Sequence, residues 1–410
     1  MGDSKTVLNY NESEFTDRVE SEGFGPEGLK LYQHLTSRVL GQERASRGVA
    51  NGMSLYYAAL NDPTKPLGVF LYSGPTGTGK TLMAEETARF LIGDALRAPL
   101  TRIPCAKYSE RHRVSELIGS PPGYVDSNKQ PILSQILIDE PHFRFKVQDQ
   151  LKEAFDKRGK KSADDVMLDL YEKNKPYLSV LLFDEVEKAH PDLHSALLHI
   201  IDDGELALPQ GNITSFANSI ICLTCNIGGR EQQEMLTGKA AGMGFGRADK
   251  DVAELSAVDA EALDQEIYKK TVDEIGKLFS PELVGRIKDG IVVFRTLSRE
   301  QQRSVLDLML SKLQDELSGR NDARAIPLTL RFDEAFKEFL LEKGESRKYG
   351  LRPLKGTVKK YVRLPLGNAI SSGDVRAADE LLFKVQNGQT VIFRKKRPEL
   401  VVKGLSSPKR

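Results

Sequence analysis

The sequence predicts an α/β fold, a five-stranded parallel sheet flanked by helices, followed by a smaller α+β unit. Three observations predict it. Short apolar runs alternate with helical patterns from about residue 37 to 296, and strands that alternate with helices pair in parallel. One run, "YLSVLLFDE" (177–185), is apolar almost throughout, as a strand covered on both faces must be. Beyond Ser298 the order changes to helix, strand, helix and hairpin, which marks a second unit.

The elements follow in order. Residues 1–36 form a polar arm too short for a domain of its own. "LGVFLYSG" (67–74) is the first strand, with a helix from Lys80. "LTRIPCA" (100–106) is the second, "YLSVLLFDE" the third, "NSIICLTCN" (218–226) the fourth and "DGIVVFRTL" (289–297) the fifth. Residues 127–165 are charge-rich and partly helical, and are expected to be a surface insertion in the large domain (37–296). In the small domain (297–396), "SREQQRSVLDLMLSKLQDELSG" opens on a capping serine and carries apolar residues at helical spacing. "IPLTLRF" reads as a strand and "DEAFKEFLLEKG" as a capped helix. "ELLFKVQNGQTVIFRKK" alternates about Asn387-Gly388, a hairpin signal. Residues 397–410 are a basic tail.

The composition excludes several classes. A net charge of +1 gives no electrostatic case for nucleic acid or an anionic membrane as partner. No apolar run is long enough to span a bilayer, and "MGDSKTVLNYNESEF" lacks the apolar core of a signal peptide. Three cysteines suggest a reducing compartment, so a cytoplasmic location is expected. Cys222 and Cys225 have CxxC spacing, but in a strand that spacing places them on opposite faces. This argues against a metal or redox pair.

Two motifs carry chemistry. "GPTGTGKT" comprises Gly74, Pro75, Thr76, Gly77, Thr78, Gly79, Lys80 and Thr81. It has phosphate-loop spacing and lies directly between a strand and a helix, the context the motif requires. Its backbone N–H groups can cradle phosphates and the helix N-terminus adds positive potential. Lys80 can reach the β- and γ-phosphates and Thr81 can ligate Mg²⁺, which makes ATP and Mg²⁺ the expected cofactors. "LLFDEVEKAHPD" places Asp184 at the end of a buried strand, where an unpaired charge is costly and a magnesium ion accounts for it. Glu185, one residue on, suits a general base acting on water. Binding alone needs no second acid, so the pair argues for hydrolysis.

A third stretch, "IGSPPGYV", stiffens the chain with Pro121 and Pro122 between glycines and then presents Tyr124. Either the tyrosine folds back onto the core or it is held out for a partner. With the two nucleotide motifs, this stretch makes residues 30–395 resemble the Clp family of AAA+ unfoldases, nearest to the second ATPase module of ClpA, ClpB and ClpC. The likeness implies an AAA+ phosphate-loop domain with a C-terminal lid domain. It implies a homo-oligomeric ring, by analogy a hexamer, that threads polypeptide substrates through its pore. "RVLGQERA" resembles the adenine-side motif, with Val39 and Leu40 beside the base. Asn226 matches the polar sensor that positions the attacking water. "FSPELVGRI" resembles the arginine-finger motif, so that Arg286 would serve the neighbouring subunit. "KYGLRPLKG" resembles the second sensor motif, in which Arg352 would touch the nucleotide. Gly123, Tyr124 and Val125 match the pore loop.

"MGF" (Met243, Gly244, Phe245) resembles the loop with which ClpA and ClpC dock on the ClpP peptidase. The alternatives are an incidental flexible loop or a packed turn, and ClpB-type disaggregases lack the loop. Asn226 alone could cap a turn, Arg286 could form a surface ion pair, and Arg352 could pair within its own domain; their joint occurrence in family order favours the functional set. The sequence departs from the family at Gly285 (usually asparagine), Lys288 (usually acidic), Asp126 (usually glycine) and Cys225 (usually serine). It also departs in the insertion, and in having no counterpart of the large N-terminal domain and first ATPase module. Two other classes remain as alternatives, a nucleotide-switched scaffold and a nucleic-acid motor; Tyr124 counts against the first and the charge balance against the second.

Overall fold

A computed structural model describes residues 23–95, 97–120, 123, 129–156, 162–229, 257–318, 327–344 and 350–395. The apolar runs become the strands β1 (Gly68–Ser73), β2 (Thr101–Pro104), β3 (Ser179–Asp184), β6 (Ser219–Cys225) and β7 (Ile291–Val293), with β4 (Glu205–Ala207) and β5 (Ile213–Ser215) forming a short antiparallel ribbon between them. The five pair in parallel in the order β2-β3-β6-β1-β7. The β4–β5 ribbon has no counterpart in the sequence reading, because three-residue strands carry too little alternation to register.

Period-two alternation explains why these strands are apolar throughout. Phe70, Tyr72, Val180, Leu182, Ile220 and Cys222 face one core, whereas Leu71, Leu181, Phe183, Ile221, Leu223 and Cys225 face the other. Cys222 and Cys225 therefore lie on opposite faces. Burial pushes their thiols up to about 12 and about 11, which leaves them protonated and inert. The first face is covered by α1 (Pro26–Arg38), α2 (Glu43–Gly52) and α4 (Lys80–Ile92), with the single turn α3 (Ser54–Tyr57) beside them. The second is covered by α5 (Arg111–Ile118), α8 (Pro191–Asp202) and the helices Ala257–Leu278 and Pro281–Ile287. The expected boundary at residues 36/37 falls inside α1, whose Leu31 and Leu35 are buried with Phe70.

The segment expected as a surface insertion contains α6 (Gln135–Asp156) and the start of α7 (Ala163–Lys173). It is more than surface. Ile138 of α6 is buried in the second core, and Phe143 and Val147 join Val166, Leu170 and Tyr171 of α7 in a satellite cluster closed by Tyr177.

The small domain folds as read. The helix Arg299–Ser318, β8 (Thr329–Phe332), the helix Glu334–Gly344 and the hairpin β9 (Glu380–Gln386) and β10 (Gln389–Arg394) enclose a core of Leu306, Leu310, Phe336, Leu340, Leu381 and Phe383. The hairpin turns at Asn387-Gly388, both at positive φ (49° and 73°), as a two-residue turn of this kind requires. Helical residues 354–371 complete the domain. The end of the large domain, just before the small one, is held by the Gln42 side chain, which donates to the Arg295 carbonyl at 2.9 Å and accepts from the Arg295 N–H at 3.1 Å. Among the described residues no helix is long and apolar enough to cross a membrane.

Candidate active site

All five sheet strands run the same way, so their C-terminal ends share one edge, and the two nucleotide motifs lie there. The loop after β1 turns through Gly74 (φ 141°) and enters α4 through Gly79 (φ 101°), conformations that favour glycine. A Cβ at Gly74 would stand 2.4 Å from the Phe294 carbonyl oxygen, and one at Gly79 3.0 Å from Val39 Cγ1. Val39 therefore packs directly on the phosphate loop and is buried, while Leu40 beside it is half-buried. Thr76 donates to Asn226 Oδ1 at 3.2 Å and Thr78 to the Pro75 carbonyl at 2.9 Å. Thr81 is half-buried in the first turn of α4.

Lys80 is only 7 % exposed. Its Nζ donates to the carbonyls of Gly74 and Pro75, both at 2.7 Å, and to Asn226 Oδ1 at 3.1 Å. Burial pushes its ammonium down to about 8, against the opposing pull of the Glu187, Asp184 and Glu185 carboxylates nearby. A buried cation held mainly by neutral carbonyls is undersupplied with negative charge, which a phosphate would provide.

Asp184 ends β3. Its Oδ1 accepts from the Thr224 hydroxyl at 2.7 Å, and Oδ2 pairs with Arg102 of β2. Glu185 follows in the left-handed region (φ 58°, ψ 51°), a conformation that costs a non-glycine residue of order 1–3 kcal/mol and tends to occur at functional sites. The turn is held because its N–H donates to Thr224 Oγ1 at 2.9 Å. Glu185 Oε2 accepts from Lys188 at 2.8 Å, and Oε1 lies 3.4 Å from Asn226 Nδ2. Among the described residues no group of three or more His, Cys, Asp or Glu side chains forms a metal site by itself. One carboxylate and one hydroxyl fit Mg²⁺, which is commonly bound through one or two carboxylates together with substrate phosphates.

Lys80, Asn226, Asp184 and Glu185 thus lie together at one edge of the sheet. The small domain also reaches this edge, since a Cβ at Gly350 would stand 2.6 Å from the Thr76 carbonyl oxygen. Arg352, two residues on, is exposed, and close enough to Lys188 for their like charges to oppose each other. Arg286 belongs to a different group: its Nε pairs with Asp202 Oδ1 at 2.5 Å, at the end of α8. Gly123 is exposed, and Tyr124, Val125, Met243, Gly244 and Phe245 lie outside the described residues.

Sequence reasoning passed over three residues. Thr224 is 2 % exposed, donates to the Asp184 carboxylate and accepts from the Glu185 backbone N–H; a lone hydroxyl inside "SIICLTC" was the available signal. Arg102 neutralises Asp184 from the next strand, a pairing visible only once the strand order is known. Glu187 accepts from both the N–H and the Nδ2 of Asn226, at 3.3 and 3.1 Å, although its place in "DEVEK" reads as a solvated charge.

Known proteins resemble the chain in sequence over most of its length. The model of the AAA domain (Cdc48 subfamily) matches residues 65–142 and 152–290. That of the C-terminal, D2-small domain of ClpB protein matches residues 297–383. The residues skipped by the first match, 143–151, lie within α6. Chaperone protein ClpB 1 of Thermosynechococcus vestitus is 33 % identical over 377 residues, covering 92 % of this chain and 35 % of that protein. Chaperone protein ClpB of Clostridium perfringens is 31 % identical over 392 residues, covering 96 % and 37 %. The ATP-dependent Clp protease ATP-binding subunit ClpA homolog of Porphyra purpurea is 29 % identical over 374 residues, covering 91 % and 39 %. The chain spans little more than a third of the length of these curated relatives. With the AAA match across more than half of its residues and the small-domain match directly after it, the chain belongs to the AAA family of ATPases, as a Clp-type AAA+ module.

Proposed function

We propose that this chain hydrolyses MgATP in a homo-oligomeric ring and uses the cycle to unfold polypeptide by drawing it through the central pore. One observation carries the reading: a buried lysine, a polar asparagine and two adjacent acids converge at the edge of a parallel sheet where a phosphate loop opens a helix. In this reading the backbone of Gly74–Thr81 and Lys80 hold the phosphates. Thr81 and Asp184 hold Mg²⁺, and Val39 and Leu40 flank the base. Glu185 takes the proton of a water as its oxygen bonds the γ-phosphorus and the bond to the leaving β-phosphate oxygen breaks. Asn226 orients that water, and Arg352 closes on the nucleotide from the small domain. Arg286 serves the neighbouring subunit's site, and Tyr124, flanked by Gly123 and Val125, grips the substrate.

Glu185→Gln tests it. This variant should bind ATP yet turn over at least ~10²-fold more slowly, as loss of a general base implies. Held in ATP, it should retain an unfolded model polypeptide, and adding Tyr124→Ala should release it. Near-normal turnover removes Glu185 from the mechanism, and retention indifferent to Tyr124 favours a nucleotide-switched scaffold. Two fates of the substrate are compatible with this reading. The ClpB relatives favour release of a remodelled protein, and the Met243–Phe245 match favours delivery to a ClpP-type peptidase. Co-sedimentation with such a peptidase in ATP, before and after replacing Met243 and Phe245 by serine, decides between them.

A further inference from the structure

We infer that Glu187 is the positioning residue for Asn226, and that it serves hydrolysis through that side chain. The inference rests on the reading of Asn226 and Lys80 given above. An asparagine amide has two near-isosteric orientations, and only its partners choose between them. Here the oxygen side faces donors, Lys80 Nζ at 3.1 Å and Thr76 Oγ1 at 3.2 Å. The nitrogen side faces carboxylates, Glu187 Oε1 at 3.1 Å and Glu185 Oε1 at the longer distance of 3.4 Å. Glu187 Oε1 also accepts the backbone N–H of Asn226 at 3.3 Å. One oxygen therefore fixes both the main chain and the amide, and a flipped amide would set its own oxygen against that carboxylate.

The geometry of Glu187 argues against simple packing. Its Oε2 is buried and has no hydrogen-bond partner among the described residues. A buried oxygen left unpaired is a cost that ordinary packing would not favour. With the amide anchored on Glu187, the Glu185 carboxylate has, among the described residues, the long contact to it and the pair with Lys188. A base that must meet a water gains from that freedom.

A double-mutant cycle on the full chain tests the inference, with kcat, KM for ATP and Tm measured for each variant at one protein concentration. Glu187→Ala should lower kcat about 10–100-fold, the scale of losing a residue that orients a reacting group, with KM changed only a few fold. Glu187→Gln retains an accepting oxygen and should restore most of the rate. In an Asn226→Ala background the further loss from Glu187→Ala should shrink to less than about threefold, because a residue acting through Asn226 has nothing left to position. A kcat for Glu187→Ala near wild type, or losses that multiply in the double variant, overturns the inference alone. Near-normal turnover of Asn226→Ala overturns the sensor reading and the inference with it.

Discussion

At the scale of single residues, the site is a balance of buried charge, and Lys80 is its most exposed liability to pH. Burial holds its ammonium near 8, against about 10.4 for lysine in an unfolded chain. Between those values the unfolded state binds more protons, so this residue's contribution makes stability rise with pH across that window; below about pH 8 the cost of burying the cation is felt in full. A polyphosphate reverses this, since its negative charge favours the protonated form. Nucleotide binding should therefore take up a fraction of a proton at pH 8.5 and almost none at pH 6.5 from this group, and affinity should weaken as pH rises above 8. Titration calorimetry in two buffers of different ionisation enthalpy measures the uptake. Lys80→Arg, whose guanidinium stays protonated, should show none at pH 8.5. Equal uptake by both proteins would assign the proton to another group. Lys80, Asp184 and Glu185 were legible in the sequence because linear spacing encodes them. Thr224, Arg102 and Glu187 were not, because their roles come from strand order and from a turn at left-handed Glu185.

At the scale of elements, the same division appears. β1, β3 and β6 are buried on both faces, and a run of apolar residues states that directly. The helices α6 and α7 bury narrow faces under dense charge. Pro141 also stands inside α6, where it removes a backbone donor, so the segment read as a partly helical insertion. Its cluster lies around Tyr177, before β3 begins, at the sheet end opposite the phosphate loop. Phe143 is 5 % exposed and meets Tyr171 and Tyr177 edge to face. Phe143→Ala should cost about 3–5 kcal/mol, as other large aromatic truncations do, if the cluster unfolds with the domain. Leu168→Ala on α7, where the side chain is 52 % exposed, should stay within about 0.5 kcal/mol. Urea denaturation of the two variants checks this. Equal midpoints would show that α6 and α7 melt independently of the sheet. ATP turnover per folded molecule should be unchanged in both, given the distance from the site that the topology imposes.

At the scale of the whole molecule, the reading turns on groups that one chain cannot complete. Arg286 lies in the last turn of the helix Pro281–Ile287 with its side chain 57 % exposed, and pairs within the subunit with Asp202. An exposed arginine–carboxylate pair contributes about 0–1 kcal/mol, enough to favour one orientation of the side chain but too little to prevent its transfer to a stronger anion. A neighbouring subunit's γ-phosphate would be such an anion, and loss of an arginine finger typically costs 10³–10⁵ in rate. Arg286→Ala should therefore bind ATP normally and turn over at least about 10³-fold more slowly. Glu185→Gln fails for a separate reason, the missing base. Mixing the two should recover activity, because a subunit that retains Glu185 can receive Arg286 from its neighbour. Wild-type specific activity should also fall on dilution through the range in which light scattering shows the oligomer dissociating. Each half of the test can refute the proposal. Activity flat across that range would mean that the subunit hydrolyses ATP alone. A mixture no faster than the mean of its parts would mean that Arg286 acts within its own chain, where the pair with Asp202 would then be its whole role.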